Sequence, residues 1–249
     1  MRRSTLLCLL VPLCMVQVRA RADEAADARA LVEKAVQAHG GASALAKMQK
    51  MTRSSAGKVF LFGLELPFQD ELTIELPSKW RLKLIGGAAG PQAQMTIILN
   101  GNDGWQMSAM GVGALPKERV TEMQDESRVL SFATVAPLLQ DKDIQLGLAK
   151  SINVDNRPAN AIRVNQAGKS EIQLYFDAQT NLLVKIARKA QEGGLVVDKE
   201  YYYAGHQPDQ GVMVPTKYSE WSSGRKLVDV SSITYKFADR LDDKLFEKP

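Results

Sequence analysis

Glu71-Leu72-Thr73-Ile74-Glu75-Leu76-Pro77-Ser78-Lys79-Trp80-Arg81-Leu82-Lys83-Leu84 carries the pattern that decides the fold. Leu72, Ile74 and Leu76 alternate with Glu71, Thr73 and Glu75, and Trp80, Leu82 and Leu84 alternate with Arg81 and Lys83. Side chains on a strand point to opposite faces in turn, so a period of two with one apolar and one wet side reads as a half-buried strand. Pro77-Ser78 between the two runs is turn chemistry, and the pair reads as an antiparallel hairpin.

The same period continues outward. Ala93, Met95, Ile97 and Leu99 alternate with Gln92, Gln94 and Thr96. Upstream, Arg53 to Phe62 is a further strand, apolar on both faces from Val59. Downstream, strands are expected at Ile144 to Val154, Ala159 to Asn165, Glu171 to Phe176, Leu182 to Lys189, Val196 to Tyr203, Val212 to Trp221 and Lys226 to Phe237. Gly86 to Pro91, Asn100 to Gly104, Asp155 to Pro158, Asp177 to Asn181, Glu192-Gly193-Gly194 and Ser222-Ser223-Gly224 punctuate them as turns. The alternation predicts about eleven strands in a meander.

Two stretches break this period. Leu31, Val32, Ala35 and Val36 recur at helical spacing, which predicts a helix over Glu24 to His39. Gly40-Gly41 supplies its left-handed stop, and His39 in the last turn suits the helix dipole. A short helical turn over Ala42 to Lys47 follows. Pro116 opens a second helix, Lys117 to Ala136, with a thin apolar stripe of Met123, Leu130 and Ala133. It is expected to cover part of the sheet as a lid.

Residues 1–20 read as a secretory leader. Arg2 and Arg3 precede an apolar run from Leu6 to Val16, and Val18-Arg19-Ala20 offers a cleavage site, with a cut after Ala22 as the alternative. The run falls short of the ~20 apolar residues of a membrane span. Cys8 and Cys14 both lie inside it, and neither follows a small residue as lipidation would require. The mature chain, 21–249, then has no cysteine, which excludes disulfides and cysteine-ligated metal. Of 32 basic and 28 acidic residues the leader takes three basic and no acidic ones, leaving a mature charge of +1 and no electrostatic reason to expect nucleic acid. No linker divides residues 21–249, so a single domain is expected. Export to a periplasm, or secretion, follows from the leader.

The catalytic inventory is thin. His39 reads as a helix-end residue and His206 as a solvated loop residue, since loops run over surfaces. They are too far apart in sequence to specify a metal, and no Gly-x-Ser-x-Gly elbow accompanies His39-Gly40-Gly41. The Gly86–Gly90 run lacks the Lys-Ser/Thr of a phosphate loop. Asp125-Glu126, Asp141 with Asp143, and Asp242-Asp243 read as solvated faces. Neither enzyme activity, nor a cofactor, nor a metal is expected. A hydrolase pairing a serine with His39 or His206 remains as the enzyme alternative.

Two longer stretches carry a family likeness. Leu76-Pro77-Ser78-Lys79-Trp80-Arg81-Leu82, followed by Ile97-Ile98-Leu99-Asn100-Gly101-Asn102-Asp103-Gly104-Trp105, resembles the bacterial outer-membrane lipoprotein carrier family (LolA/LolB-like). Val154 to Ala159, Leu174-Tyr175-Phe176-Asp177, Val212-Met213-Val214-Pro215 and Leu241 to Phe246 are similar to exported members of that family, in the same order. The resemblance implies an unclosed antiparallel β-barrel with a helical lid, holding the acyl chains of lipoproteins or lipids, exchanged with a membrane-bound donor or acceptor. The sequence departs from the carriers at Leu76, where they can place an arginine.

A monomeric periplasmic carrier or binding protein for acyl chains is therefore the leading expectation. Its cavity is expected to be lined by Leu72, Ile74, Trp80, Leu82, Leu84, Met95, Ile97 and Leu99 from the early strands. Trp105, Met107, Met110 and Leu130 would come from the edge and the lid. Alternation alone leaves open which sheet face is the inner one. The rival expectation is a protein-interaction or envelope stress-sensor module that docks a partner on the same fold.

Overall fold

The computed structural model describes residues 12–249 apart from 88, 89, 91 and 92, with side chains from residue 23 onward. The expected leader thus lies for the most part outside the described residues, as does the centre of the Gly86–Pro91 turn. Helix α1 (Pro12–Ala38) starts well before the expected Glu24, with a proline in its first turn, where the missing N–H costs nothing. Ala28, Val32, Ala35 and Val36 form its buried stripe. It stops as the glycines predict: Gly40 and Gly41 have positive φ, and the Gly41 N–H donates to Val36 O at 2.8 Å. Gly40 is required for a second reason, because a Cβ there would lie 2.1 Å from Gly211 O.

After α2 (Ala42–Leu45) the chain enters the sheet as β1 (Lys50–Leu61), β2 (Leu64–Glu75), β3 (Lys79–Gly86), β4 (Gln94–Asn100), β5 (Asp103–Ser108) and β6 (Gly111–Ala114). Helices α3 (Lys117–Ala133) and α4 (Pro137–Gln140) interrupt it. Then come β7 (Ile144–Val154), β8 (Arg157–Gln166), β9 (Ile172–Asp177), β10 (Leu183–Glu192), β11 (Leu195–Ala204), β12 (Gln207–Asp209), β13 (Val212–Val214), β14 (Lys217–Ser222) and β15 (Arg225–Phe237).

Among the described residues, thirteen strands form one antiparallel sheet in the order β6-β5-β4-β3-β2-β1-β15-β14-β11-β10-β9-β8-β7. The last strand returns to pair with the first, Met51 opposite Phe237 and Arg53 opposite Tyr235, which joins the two meanders. β6 and β7 remain as unpaired edges, so the barrel is unclosed, as expected. The expected eleven strands gain β5, β6 and β12. The expected strand Val212 to Trp221 breaks at Pro215, which cannot donate to a ladder. Its first part pairs with β12 in a separate two-stranded ribbon.

Register fixes the two faces. Trp80 stands opposite Ile74 and Leu99, Leu82 opposite Leu72 and Ile97, and Leu84 opposite Asp70 and Met95. Cross-strand partners share a face. This face is the concave one: with Ile162, Leu174 and Ile186 from the second meander and the buried stripes of α1 and α3 it forms the main core. α3 packs on β4 at one wall and on β10 at the other, so it crosses the concavity as a lid. Its buried residues include Ser127 and Ser131 besides Val120, Met123, Val129 and Phe132, which is why its apolar stripe looked thin. Ser127 Oγ donates to Pro77 O, so the small polar residue is satisfied.

The exposed large apolar side chains gather at one end of the sheet. Phe62 and Leu64 sit at the β1–β2 tip, Ile85 at the end of β3, Met110 and Val112 at the β5–β6 tip, and Leu195 and Val196 at the β10–β11 tip. The β1–β2 turn, Phe62-Gly63, has positive φ at both residues, the two-residue geometry that matches strand twist.

Candidate functional site: a lidded cavity with one apolar and one polar wall

A cavity of ≈ 420 Å³ lies between the concave face and α3. That is within the ~300–1,000 Å³ typical of ligand pockets. Leu72 and Ile74 on β2, Trp80, Leu82 and Leu84 on β3, and Met51 on β1 form an apolar wall, closed above by Val129, Leu130 and Ala133 of α3. Six of the residues expected from the sequence therefore line it: Leu72, Ile74, Trp80, Leu82, Leu84 and Leu130.

The other six do not. Met95, Ile97 and Leu99 share the concave face but lie outside the cavity lining. Leu99 is fully buried, Ile97 belongs with it to the packed core, and Met95 is partly buried against that core. Trp105 and Met107 stand opposite Ile98 and Thr96 and so belong to the convex face. The concave position beside them is Gly104, where a Cβ would come within 3.1 Å of Leu115 and Val120 under the lid. The period of two then places Trp105 on the outer face. Met110, in the β5–β6 turn, is 98% exposed.

The opposite wall is polar, which the sequence reading missed. Here β10, β11 and β14 place Arg188, Lys199, Tyr201, Tyr203, Tyr218 and Glu220 on the concave face. Glu126, read from sequence as part of a solvated acidic pair, reaches from α3 into this wall. It accepts from Arg188 Nη2, from the Tyr201 hydroxyl at 2.7 Å and from Lys199 Nζ at 3.4 Å. Lys199 Nζ also bonds Glu192 at 2.6 Å and Glu220 at 2.7 Å. Burial works against the Lys199 ammonium, but the charges of Glu126 and Glu220 outweigh it and hold its pKa above the ordinary lysine value. Burial, then the Glu126 charge, holds the Tyr201 hydroxyl protonated far above the usual tyrosine range, so it serves as a fixed donor. Burial pushes Tyr235 up to about 12. Between the walls, Arg53 Nη2 bonds Asp70 Oδ2 at 3.4 Å, and Ser55 Oγ donates to the other oxygen of Asp70.

Both histidines reach this cavity, at the end where α1 stops. His39 is buried, not simply capping: its Nδ1–H donates to Ala35 O at 2.8 Å, and its Nε2 accepts the Leu183 N–H at 3.3 Å. Burial holds it below the ordinary histidine pKa, partly offset by the Ala35 bond, so it is neutral and the dipole argument does not apply. His206 is half-buried with its ring 6.1 Å from that of His39, a correction to the solvated-loop reading. Burial, then the neighbouring His39, lowers its pKa to about 4. With both His39 nitrogens committed to the backbone, that ring has no lone pair left to activate a serine. Among the described residues no group of three or more His, Cys, Asp or Glu is placed to hold a metal ion.

No protein-family profile matches the chain, and no curated protein matches it. Solved structures do. A LolA superfamily protein from Nitrosomonas europaea superposes with a TM-score of 0.55 at 15% identity, over 89% of this chain and 97% of that one. A DUF1329 family protein from Desulfovibrio piger gives 0.56 at 13%, over 88% and 97%. A domain ascribed to outer membrane lipoprotein sorting, from Vibrio parahaemolyticus, gives 0.56 at 9%, over 90% and 97%. The open thirteen-stranded sheet, the lid across its concave face and these superpositions together show that the chain has the LolA-like fold.

Proposed function

We propose that the protein is an exported, monomeric carrier or binding protein that takes an acyl chain into the lidded cavity, without turnover, cofactor or metal. The observation that carries this reading is the continuous apolar wall of β2 and β3 facing a void of ≈ 420 Å³ under α3. A chain placed there gains about 25 cal/mol per Å² removed from water, which leaves micromolar affinity after the costs of ordering it. The cargo is the acyl part of a lipoprotein or a lipid, passed to or from a membrane-bound donor or acceptor. Periplasmic location fits the leader read from the sequence. Among the described residues no helix is long and apolar enough to cross a membrane.

Titration with a fatty-acyl probe, read by tryptophan emission, tests the site. Trp80 should respond, while Trp105 and Trp221, both on the convex face, stay silent; single-tryptophan variants separate them. Leu82→Glu buries an unpaired charge in the centre of the wall and should abolish the response. Binding that survives Leu82→Glu in a protein with unchanged circular dichroism would sink the assignment.

The exposed apolar tips at one end of the sheet favour a second reading, a protein-interaction or stress-sensor module. Native mass spectrometry of protein purified in the presence of membranes divides the two. A lipid-mass adduct supports the carrier, and a lipid-free protein supports the interaction module.

A further inference from the structure

A larger hollow lies on the other side of the sheet: an open groove of ≈ 1570 Å³ on the convex face, against ≈ 420 Å³ under the lid. Phe60 of β1, Tyr202 of β11 and Trp221 of β14 give it three half-buried aromatic rings. Lys226 Nζ lies 5.4 Å from the Trp221 ring centre and 5.9 Å from that of Phe60, and Tyr202 meets Trp221 edge-on at 6.2 Å. The rings and the cation thus form one strip across β11, β14, β15 and β1. A second hollow of ≈ 430 Å³ shares Ala56, Gln69 and Ile85 with the groove and prolongs it. Here Ser54 stands opposite Thr234, and Ala56 stands between Ser232 and Gln69. Ser54, Gln69, Ser232 and Thr234 are all exposed, so an aromatic strip runs into a stretch of uncharged polar side chains.

Charge and backbone narrow what can lie there. Lys58, Lys217 and Lys226 meet Glu65, Asp155 and Asp229 along the groove, a net charge of zero. Lys58 bonds Glu65 at 2.7 Å and Lys226 bonds Asp229 at 3.0 Å, so an anion finds no surplus of positive charge. In the smaller hollow Lys83 stands opposite Glu71. Each strand beneath is paired on both sides, β2 by β3 and β1, and β11 by β14 and β10. Their backbone groups are spent, so a peptide cannot add as a further strand, and recognition falls to side chains. A sugar ring suits this surface. Its C–H face stacks on the electron-rich face of an aromatic ring. Its hydroxyls both donate and accept, as do the Gln69 amide and the Ser and Thr hydroxyls.

We propose that this outer face is a second binding site, distinct from the lidded cavity, for an uncharged glycan chain. The strip of Phe60, Tyr202 and Trp221 takes the ring faces, and Ser54, Gln69, Ser232 and Thr234 take the hydroxyls. From Lys226 to Thr234 the face runs ~26 Å along β15 at the usual rise of a strand, so it suits an oligosaccharide rather than a single sugar. The groove and the lidded cavity lie on opposite faces of one sheet, so one fills without excluding the other.

Calorimetric titration of the whole protein with cellohexaose and with chitohexaose, at millimolar concentration, tests it. At least one should bind. Trp80→Phe combined with Trp105→Phe keeps Trp221 as the sole tryptophan, and the sugar should shift its emission. The variant that keeps Trp80 alone should bind the sugar without an emission change. Gln69→Ala, on the exposed surface, should weaken the sugar about three- to tenfold and leave a fatty-acyl probe unaffected. Saturating that acyl probe first should leave sugar binding unchanged. Absence of binding by both hexasaccharides overturns the proposal. A response from Trp80 in place of Trp221, or competition between sugar and acyl probe, puts the sugar under the lid and overturns the outer site. Decaproline binding at Trp221 with neither sugar bound would make the groove a peptide site and overturns the glycan assignment.

Discussion

The Tyr201 hydroxyl of β11 donates to Glu126 of α3 at 2.7 Å, across the gap between sheet and lid. Arg188 and Lys199 converge on the same carboxylate, so one side chain of the lid gathers three donors from two strands. Glu126→Gln keeps the shape but removes the charge that Arg188 and Lys199 face. We expect a loss of about 1–3 kcal/mol, because two cations in the wall lose a counter-charge. Amide exchange should quicken along α3 more than along α1. An unchanged urea midpoint together with unchanged α3 exchange would show that the lid is held by its apolar contacts alone.

Stability should fall as the pH drops from about 6.5 to about 4. His206 has its pKa lowered from 6.5 to about 4 in the folded chain, so over that window the unfolded state binds a proton that the native state refuses. His39, lowered by burial as well, adds in the same direction. One such histidine contributes at most about 3 kcal/mol. Asp177 acts at lower pH. Burial opposes its ionisation, but the Thr180 N–H and hydroxyl and the Gln179 N–H outweigh it and hold its pKa below 3.8. Its stabilisation is therefore lost only as pH falls below that value. Urea midpoints at pH 7.5, 6 and 5 for the parent and for His206→Gln check the first window. Parallel curves for the two proteins would remove His206 from it.

Gly57 marks the bulge in the pairing of β1 with β15. A Cβ there would lie 2.2 Å from Asp229 O and 2.8 Å from Val230 Cα, both backbone atoms that cannot swing aside. Gly57→Ala should destabilise by about 2–3 kcal/mol as an overpacked site. Gly113→Ala in β6, where nothing lies within 4 Å, serves as the control and should be close to neutral. Equal midpoints for the two variants would mean that the β1–β15 seam yields more easily than its geometry indicates.

The apolar wall was legible because β2 and β3 alternate cleanly and, apart from Asp70, their charged positions face out. The convex placement of Trp105 was not. In β5 the concave positions are Gly104 and Gln106, so the larger apolar residues lie on the wet side and the alternation reads backwards. The polar wall was hidden for a related reason. Arg188, Lys199 and Glu220 look like solvent-facing charges in a strand, and only the return of β15 to β1 and the reach of Glu126 turn them inward. A signal was available in β11, where Lys199, Tyr201 and Tyr203 fall two apart on one face, an odd composition for a surface but a suitable one for a satisfied polar interior. Pro215 was visible too, and it ends a strand where the sequence reading ran through.

Because β6 and β7 never meet, the sheet can uncurl without breaking a single ladder hydrogen bond. A closed barrel would resist a change of girth through every strand pair at once. Here the hoop is cut, and α3, resting on β4 at one side and β10 at the other, is the strap across the concavity. Compliance is thereby concentrated in side-chain contacts rather than spread through the backbone. The bore can follow the thickness of whatever it holds, at an elastic cost set by the grip of one helix.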